Sequence, residues 1–158
     1  MSVLVQLGIA SVMVFATVLI HFIGLSALLV VVRRYHGHAN HRRKAIGDAI
    51  AILGAAIGLS ALHSAEIWLY AALYWQRDVF TSFEQGLYFS TSTYATIGYG
   101  DVVLPLQSRL IGAIEGANGI LLFGWSTAFL FSVVDRMKLL ERELDAPVHH
   151  QQDEAHDK

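Results

Sequence analysis

Thr96-Ile97-Gly98-Tyr99-Gly100-Asp101 is the stretch on which the fold turns. Two glycines alternate with bulkier residues. Glycine has no Cβ and tolerates positive φ. Gly98 and Gly100 therefore suit a backbone whose carbonyls all turn to one side, an arrangement that needs unusual angles. Taken alone, Gly-Tyr-Gly in a soluble protein is a turn. The flanking sequence decides which reading applies.

Upstream, Thr81-x-x-Glu84 reads as a capping box that opens a short helix over 81–94. Ser82 to Tyr94 is apolar, rich in hydroxyls and free of proline. At 1.5 Å per residue such a helix is roughly 20 Å long, too short to cross a bilayer. Downstream, Pro105 breaks the exit from the motif before a third apolar block begins.

The rest of the chain supplies the setting. Of 158 residues, 54% are hydrophobic and 15% charged, against about 25% charged in ordinary soluble domains. Mean hydropathy is +0.48. The apolar residues come in blocks. Residues 1–32 carry no Asp, Glu, Lys or Arg, 49–76 carry only Glu66, and 110–134 only Glu115. A spanning helix needs about 20 mostly apolar residues, so three spans fit. The first block lacks a preceding positive segment and exceeds a signal-peptide core, which predicts a retained span. Arg33, Arg34, Arg42, Arg43 and Lys44 follow the first block, and Arg136, Lys138 and Arg142 follow the third. The positive-inside rule places both groups in the cytoplasm. The N-terminus and residues 77–108 then lie outside, and the 81–94 helix with its motif re-enters the membrane from there. Non-helical backbone at that depth must be enclosed by protein or line water.

The order helix, re-entrant helix, T-I-G-Y-G-D, helix resembles the pore module of potassium channels, most closely small bacterial-type channels with one pore loop per chain. The resemblance covers about residues 49–136. It implies an all-α membrane protein, with the pore module joined to one additional N-terminal transmembrane helix (1–32), a basic cytoplasmic loop (33–48) and a cytoplasmic tail (137–158). It implies a homotetramer among membrane lipids, because one chain supplies one filter strand and a ring needs four. The permeant K+ would be held by carbonyls of Thr96, Ile97, Gly98 and Tyr99 and the Thr96 hydroxyl, with Gly100 closing the filter at 96–100. No cofactor is implied. In the family the motif tyrosine leans away from the pore on pore-helix aromatics. The matching pair is Tyr88 and Phe89, and Thr93 is the remaining hydroxyl within reach of Tyr99. Asp101 sits behind the outer mouth. Some relatives pair it with a pore-helix Glu, and Ser92 stands at that position here.

In the third block, Gly112, Gly116, Gly119 and Gly124 recur at helical spacing. Small residues let membrane helices pack closely. Gly119 also matches the position of a gating bend, and Ile120, Phe123 and Thr127 would line a cavity below the filter. Glu66, Glu115 and Asn118 are polar groups inside spans, where such residues are costly and mark either function or a satisfied cluster. Glu115 and Asn118 share a face, as do His63 and Glu66. An intramembrane polar cluster is expected, and packing, proton sensing and a second ion path are its three readings. His36, His38 and His41, and His149, His150 and His156, read as a solvated loop and tail. Met137, Leu140 and Leu144 extend the helical period past Arg136.

Several function classes lack support. No span repeats Arg at every third residue, so no usual voltage sensor is present. A net charge of −2 with no basic patch gives no nucleic-acid surface, and the absence of cysteine excludes thiolate sites and disulfides. No nucleophile–base set suggests an enzyme or a small-molecule substrate. The reading from another class is a non-conducting pore-fold scaffold or regulatory subunit.

Overall fold

The computed structural model describes the backbone of residues 1–35 and 41–145, with side chains over 1–34 and 47–135. Four helices account for the described architecture: α1 (Val3–Tyr35), α2 (His41–Gln76), α3 (Phe83–Tyr94) and α4 (Arg109–Asp145). Val3–Arg34, Gly47–Gln76 and Arg109–Asp135 are long and apolar enough to cross a membrane. The protein is an all-α, multi-pass membrane protein with a short helix inserted between its second and third spans.

Each helix end has a local cause. α2 stops where Asp78 takes a left-handed φ of 52°. The Val79 N–H then bonds the Tyr74 carbonyl at 3.0 Å and satisfies one of the orphan acceptors of the last turn. α3 begins one residue later than the sequence pattern suggests. Ser82, not Thr81, is the N-cap, at φ −138° and ψ 154°, and its hydroxyl accepts from the Gln85 N–H at 3.2 Å. The Thr81 hydroxyl instead donates to Gln85 Oε1 at 3.3 Å. Glu84 falls in the first turn, where a negative charge favours the helix dipole. The segment expected as a loop over 33–48 is helical at both flanks, because α1 runs to Tyr35 and α2 opens at His41. Its Arg and Lys residues are good helix formers and prolong the spans past their apolar part. His36, His38 and the tail histidines lie outside the described residues. α4 continues to Asp145, as the spacing of Met137, Leu140 and Leu144 predicts.

α3 is wedged between α2 and α4, and α1 packs against α2 and α4. α1 and α2 meet through two reciprocal notches. A Cβ on Gly24 would stand 2.6 Å from the Leu62 side chain, and one on Gly58 would stand 2.4 Å from Leu28. α4 meets α3 the same way. A Cβ on Gly112 would approach Leu104 and Phe89, and one on Gly116 would lie 3.2 Å from the Thr93 carbonyl. The core beneath α3 holds Tyr70, Tyr74, Phe80, Phe89, Tyr94 and Leu122. Outward faces such as Leu4, Val12 and Phe15 on α1 are open, as suits a lipid solvent.

Candidate functional site

The last turn of α3 turns the chain into the 96–100 segment. Ser92 is buried, and its carbonyl accepts from both the Ile97 N–H at 2.9 Å and the Gly98 N–H at 3.2 Å. The Thr96 N–H bonds the Thr93 carbonyl at 2.9 Å. Every peptide among the described residues is trans, so each carbonyl opposes the N–H of the next residue. With three successive N–H groups tied to the end of α3, the carbonyls of Ala95, Thr96 and Ile97 turn the other way, out of the fold. Positive φ recurs at alternate residues: 59° at Thr96, 57° at Gly98 and 77° at Gly100. Ile97 and Tyr99 have negative φ. Alternation of positive and negative φ lets successive peptides face one way instead of alternating as in a strand. The glycines take these angles freely. Thr96 does not, and its left-handed backbone is a strain held by the Ser92 and Thr93 carbonyls. No pattern in the sequence signals that a threonine adopts it.

Residues 96–100 are all exposed in the single chain. Tyr99 is 69% exposed, and among the described residues it has no hydrogen bond. Phe89 does not meet it. Phe89 is buried inside the subunit, edge-on to Tyr74 at 5.4 Å and beside Phe80 at 5.4 Å. Tyr88 reaches the loop that follows Gly100, donating its hydroxyl to Asp101 Oδ2 at 2.6 Å. Asp101 Oδ1 accepts from the Val102 N–H at 3.0 Å. The Tyr88 hydrogen bond, more than any other interaction, holds the Asp101 carboxyl below the usual carboxylate range. Thr93 lies half-buried against α4 at Gly116.

On α4, Gly119 is buried and faces α3. A Cβ there would stand 2.1 Å from the Tyr94 carbonyl oxygen, well inside contact. Ile120 and Thr127 are exposed on the open side of the helix, and the Thr127 hydroxyl donates back to the Phe123 carbonyl at 2.9 Å. Phe123 is 39% exposed, and its ring leans on His63 at 4.3 Å and Tyr94 at 5.5 Å.

Glu66, Glu115 and Asn118 are buried, but they do not bond one another. Each is the hub of its own set. The Glu115 carboxyl group accepts from the Tyr74 hydroxyl at 2.6 Å and from the Ser90 hydroxyl. Asn118 Nδ2 donates to Thr17 Oγ1 at 2.8 Å and to the Tyr70 hydroxyl at 3.4 Å. Glu66 Oε1 faces His21 Nδ1 at 2.9 Å, and Oε2 accepts from the Tyr94 hydroxyl at 2.5 Å. His63 Nδ1 lies 3.3 Å from the same Oε2. The partners that sequence reasoning missed are mostly hydroxyls, which patterns of charge do not reveal. His21 was legible, as the one ionisable side chain inside the first apolar block. These hubs tie α1, α2 and α4 to α3, directly behind the 96–100 segment.

The family model described as ion channel matches residues 49–136, more than half of the chain. No curated protein and no solved structure matches it. The matched region takes in nearly all of the apolar part of α2, the inserted α3, the 95–108 segment and α4 to the end of its apolar run, leaving α1 outside. The chain belongs to the ion channel family.

Proposed function

We propose that the protein is a potassium-selective channel, four copies of the chain surrounding one pore through which K+ passes down its gradient. The supporting observation is the peptide orientation behind Thr96, Ile97 and Gly98, whose N–H groups are held at the end of α3. Carbonyls turned outward from four chains would form rings that replace the hydration shell of a bare cation. Thr96, Ile97, Gly98 and Tyr99 supply those carbonyls, Thr96 adds its hydroxyl, and Gly100 and Asp101 close the outer end. Exposed Ile97 at 53% and Tyr99 at 69% are surface for neighbouring copies to cover. The α3 C-terminus points its partial negative charge at the path below, and Ile120, Phe123 and Thr127 border that path. The N-terminus lies outside and the C-terminus in the cytoplasm. No small molecule or cofactor beyond the permeant ion is required.

Reversal potentials of the purified protein in liposomes, with potassium and sodium on opposite sides, test this reading. A shift toward the potassium equilibrium potential is expected. Equal permeability overturns the selectivity, and no conductance in a correctly inserted protein favours the scaffold reading instead.

A further inference from the structure

We propose that His21, His63, Glu66 and Tyr94 form a binding site for one divalent transition-metal ion, of the zinc class, inside the membrane behind the 96–100 segment. Two imidazoles and a carboxylate, contributed by α1 and α2, each offer a ligand atom within 4.8 Å of the others. All three residues are buried. A tetrahedral zinc ion with bonds of about 2.0–2.1 Å sets its ligands about 3.4 Å apart. Glu66 already stands 2.9 Å from His21 Nδ1 and 3.3 Å from His63 Nδ1. The set must close from within 4.8 Å to about 3.4 Å. Imidazole nitrogen with carboxylate oxygen is a donor set that suits zinc, and zinc imposes no electronic preference on the geometry.

The hydrogen count points the same way. Glu66 Oε1 to His21, Glu66 Oε2 to Tyr94, and His63 Nδ1 to the shared Tyr94–Oε2 corner make three contacts. Nε2 of His63 and Nε2 of His21 both face Ser126 Oγ, at 2.9 Å and 3.3 Å, which makes five. Each contact needs one hydrogen. An ionised carboxylate, two neutral rings, one phenol and one hydroxyl supply only four. The cluster is one hydrogen short for its five contacts, a gap that an added proton or a bound metal ion closes. A metal at the two Nδ1 atoms removes the shortfall. Both Nε2–H groups then donate to Ser126 Oγ, which has two lone pairs for them. A ligating histidine is oriented by its other nitrogen in this way.

The fourth position falls to Tyr94. Its phenol oxygen lies 3.1 Å from His63 Nδ1 and 2.5 Å from Glu66 Oε2. Coordination of that oxygen releases the phenol proton to water. One divalent ion, one carboxylate and one phenolate sum to zero charge, which matters where a net charge is costly. Tyr94 is the last residue of α3, two before Thr96, so the metal would fasten α1 and α2 to the base of the 96–100 segment.

Zinc chloride titrated into chelator-stripped, detergent-purified full chain tests the site. We expect one zinc ion per chain, with a tyrosinate difference band in the near ultraviolet, release of at least one proton, and a raised melting temperature. Ser126→Ala should weaken binding about 10–100-fold, and His21→Gln and Glu66→Gln should abolish it. A variant with His36, His38, His41, His149, His150 and His156 all changed to Gln should keep it, which separates the site from the other histidines. Should His21→Gln fail to fold, the tyrosinate band and proton release of the wild type still decide. Zinc bound without that band, or bound equally by Ser126→Ala and Glu66→Gln, overturns the proposal, as does a stripped protein that takes up protons but no zinc. The measurement needs no conduction, so its failure is distinct from failure of the potassium reading.

Discussion

Gly119 and Gly124 lie on one helix and have opposite surroundings, which makes them a direct test of packing against bending. A Cβ at Gly119 would collide with the Tyr94 carbonyl, whereas nothing lies within 4 Å of one at Gly124. Gly119→Ala is expected to lower stability by about 1–3 kcal/mol, the usual cost of overpacking. Gly124→Ala should raise it by up to about 1 kcal/mol through helix propensity. Denaturation of both purified variants checks this. Because Tyr94 precedes Thr96 by two residues, Gly119→Ala should also disturb the 96–100 segment and the selectivity proposed for it. An unaltered stability with reduced open probability would restore the hinge. In the loop that follows Gly100, Tyr88→Phe removes the bond that depresses the Asp101 carboxyl. Asp101 binds its proton more weakly in the fold than in the unfolded chain. The bond's contribution is therefore complete above the ordinary Asp value of about 3.9 and is lost as pH falls through the lowered one. Carboxyl NMR titration should find the Asp101 midpoint moved upward in Tyr88→Phe. An unmoved midpoint would place the cause elsewhere.

Between elements, buried carboxylates do the joining. Glu115 of α4 takes the Tyr74 hydroxyl of α2 and the Ser90 hydroxyl of α3. Glu115→Leu strands both donors, and each buried unpaired group costs about 1–3 kcal/mol. Glu115→Gln keeps one acceptor and should fall between wild type and Leu in thermal stability. Equal stability of the two variants would mean that water replaces the carboxylate. The sequence shows that Glu66, Glu115 and Asn118 need partners, because span-length apolar blocks leave them no water. It does not reveal that the three need different partners. Tyr70, Tyr74, Ser90 and Thr17 are uncharged, and their roles follow from the crossing of α1, α2 and α4, which no local pattern encodes. The spans and the inserted helix were legible from block length and from one motif. The cap of α3 was not, since Thr81-x-x-Glu84 and Ser82-x-x-Gln85 are overlapping boxes that differ only in register. The exposed 96–100 segment was legible at its glycines and silent at Thr96, where tertiary hydrogen bonds override a residue's preference.

At the scale of the molecule, orientation follows from charge. α1 ends with Arg33 and Arg34 in its last turn. Arg42, Arg43 and Lys44 open α2, and Arg136, Lys138 and Arg142 continue α4 beyond its apolar part. Both basic groups lie at the same end of the bundle, since α1 is joined to α2 there and three spans alternate in direction. The opposite end carries the α2–α3 turn, Asp101 and the N-terminal amine, which lies 3.4 Å from Gln107 Oε1. Positive charge resists translocation, so the basic end should stay in the cytoplasm and the 96–101 segment should open outward. The chain has no cysteine, which makes single-cysteine labelling unambiguous. In intact cells an impermeant thiol reagent should modify Ser2→Cys and leave His150→Cys untouched until the membrane is opened. Labelling of position 150 alone would invert the protein and put Asp101 on the cytoplasmic side. Labelling of both would mean an even number of spans, and α1 would then have to leave the bilayer despite a first block that carries no charge.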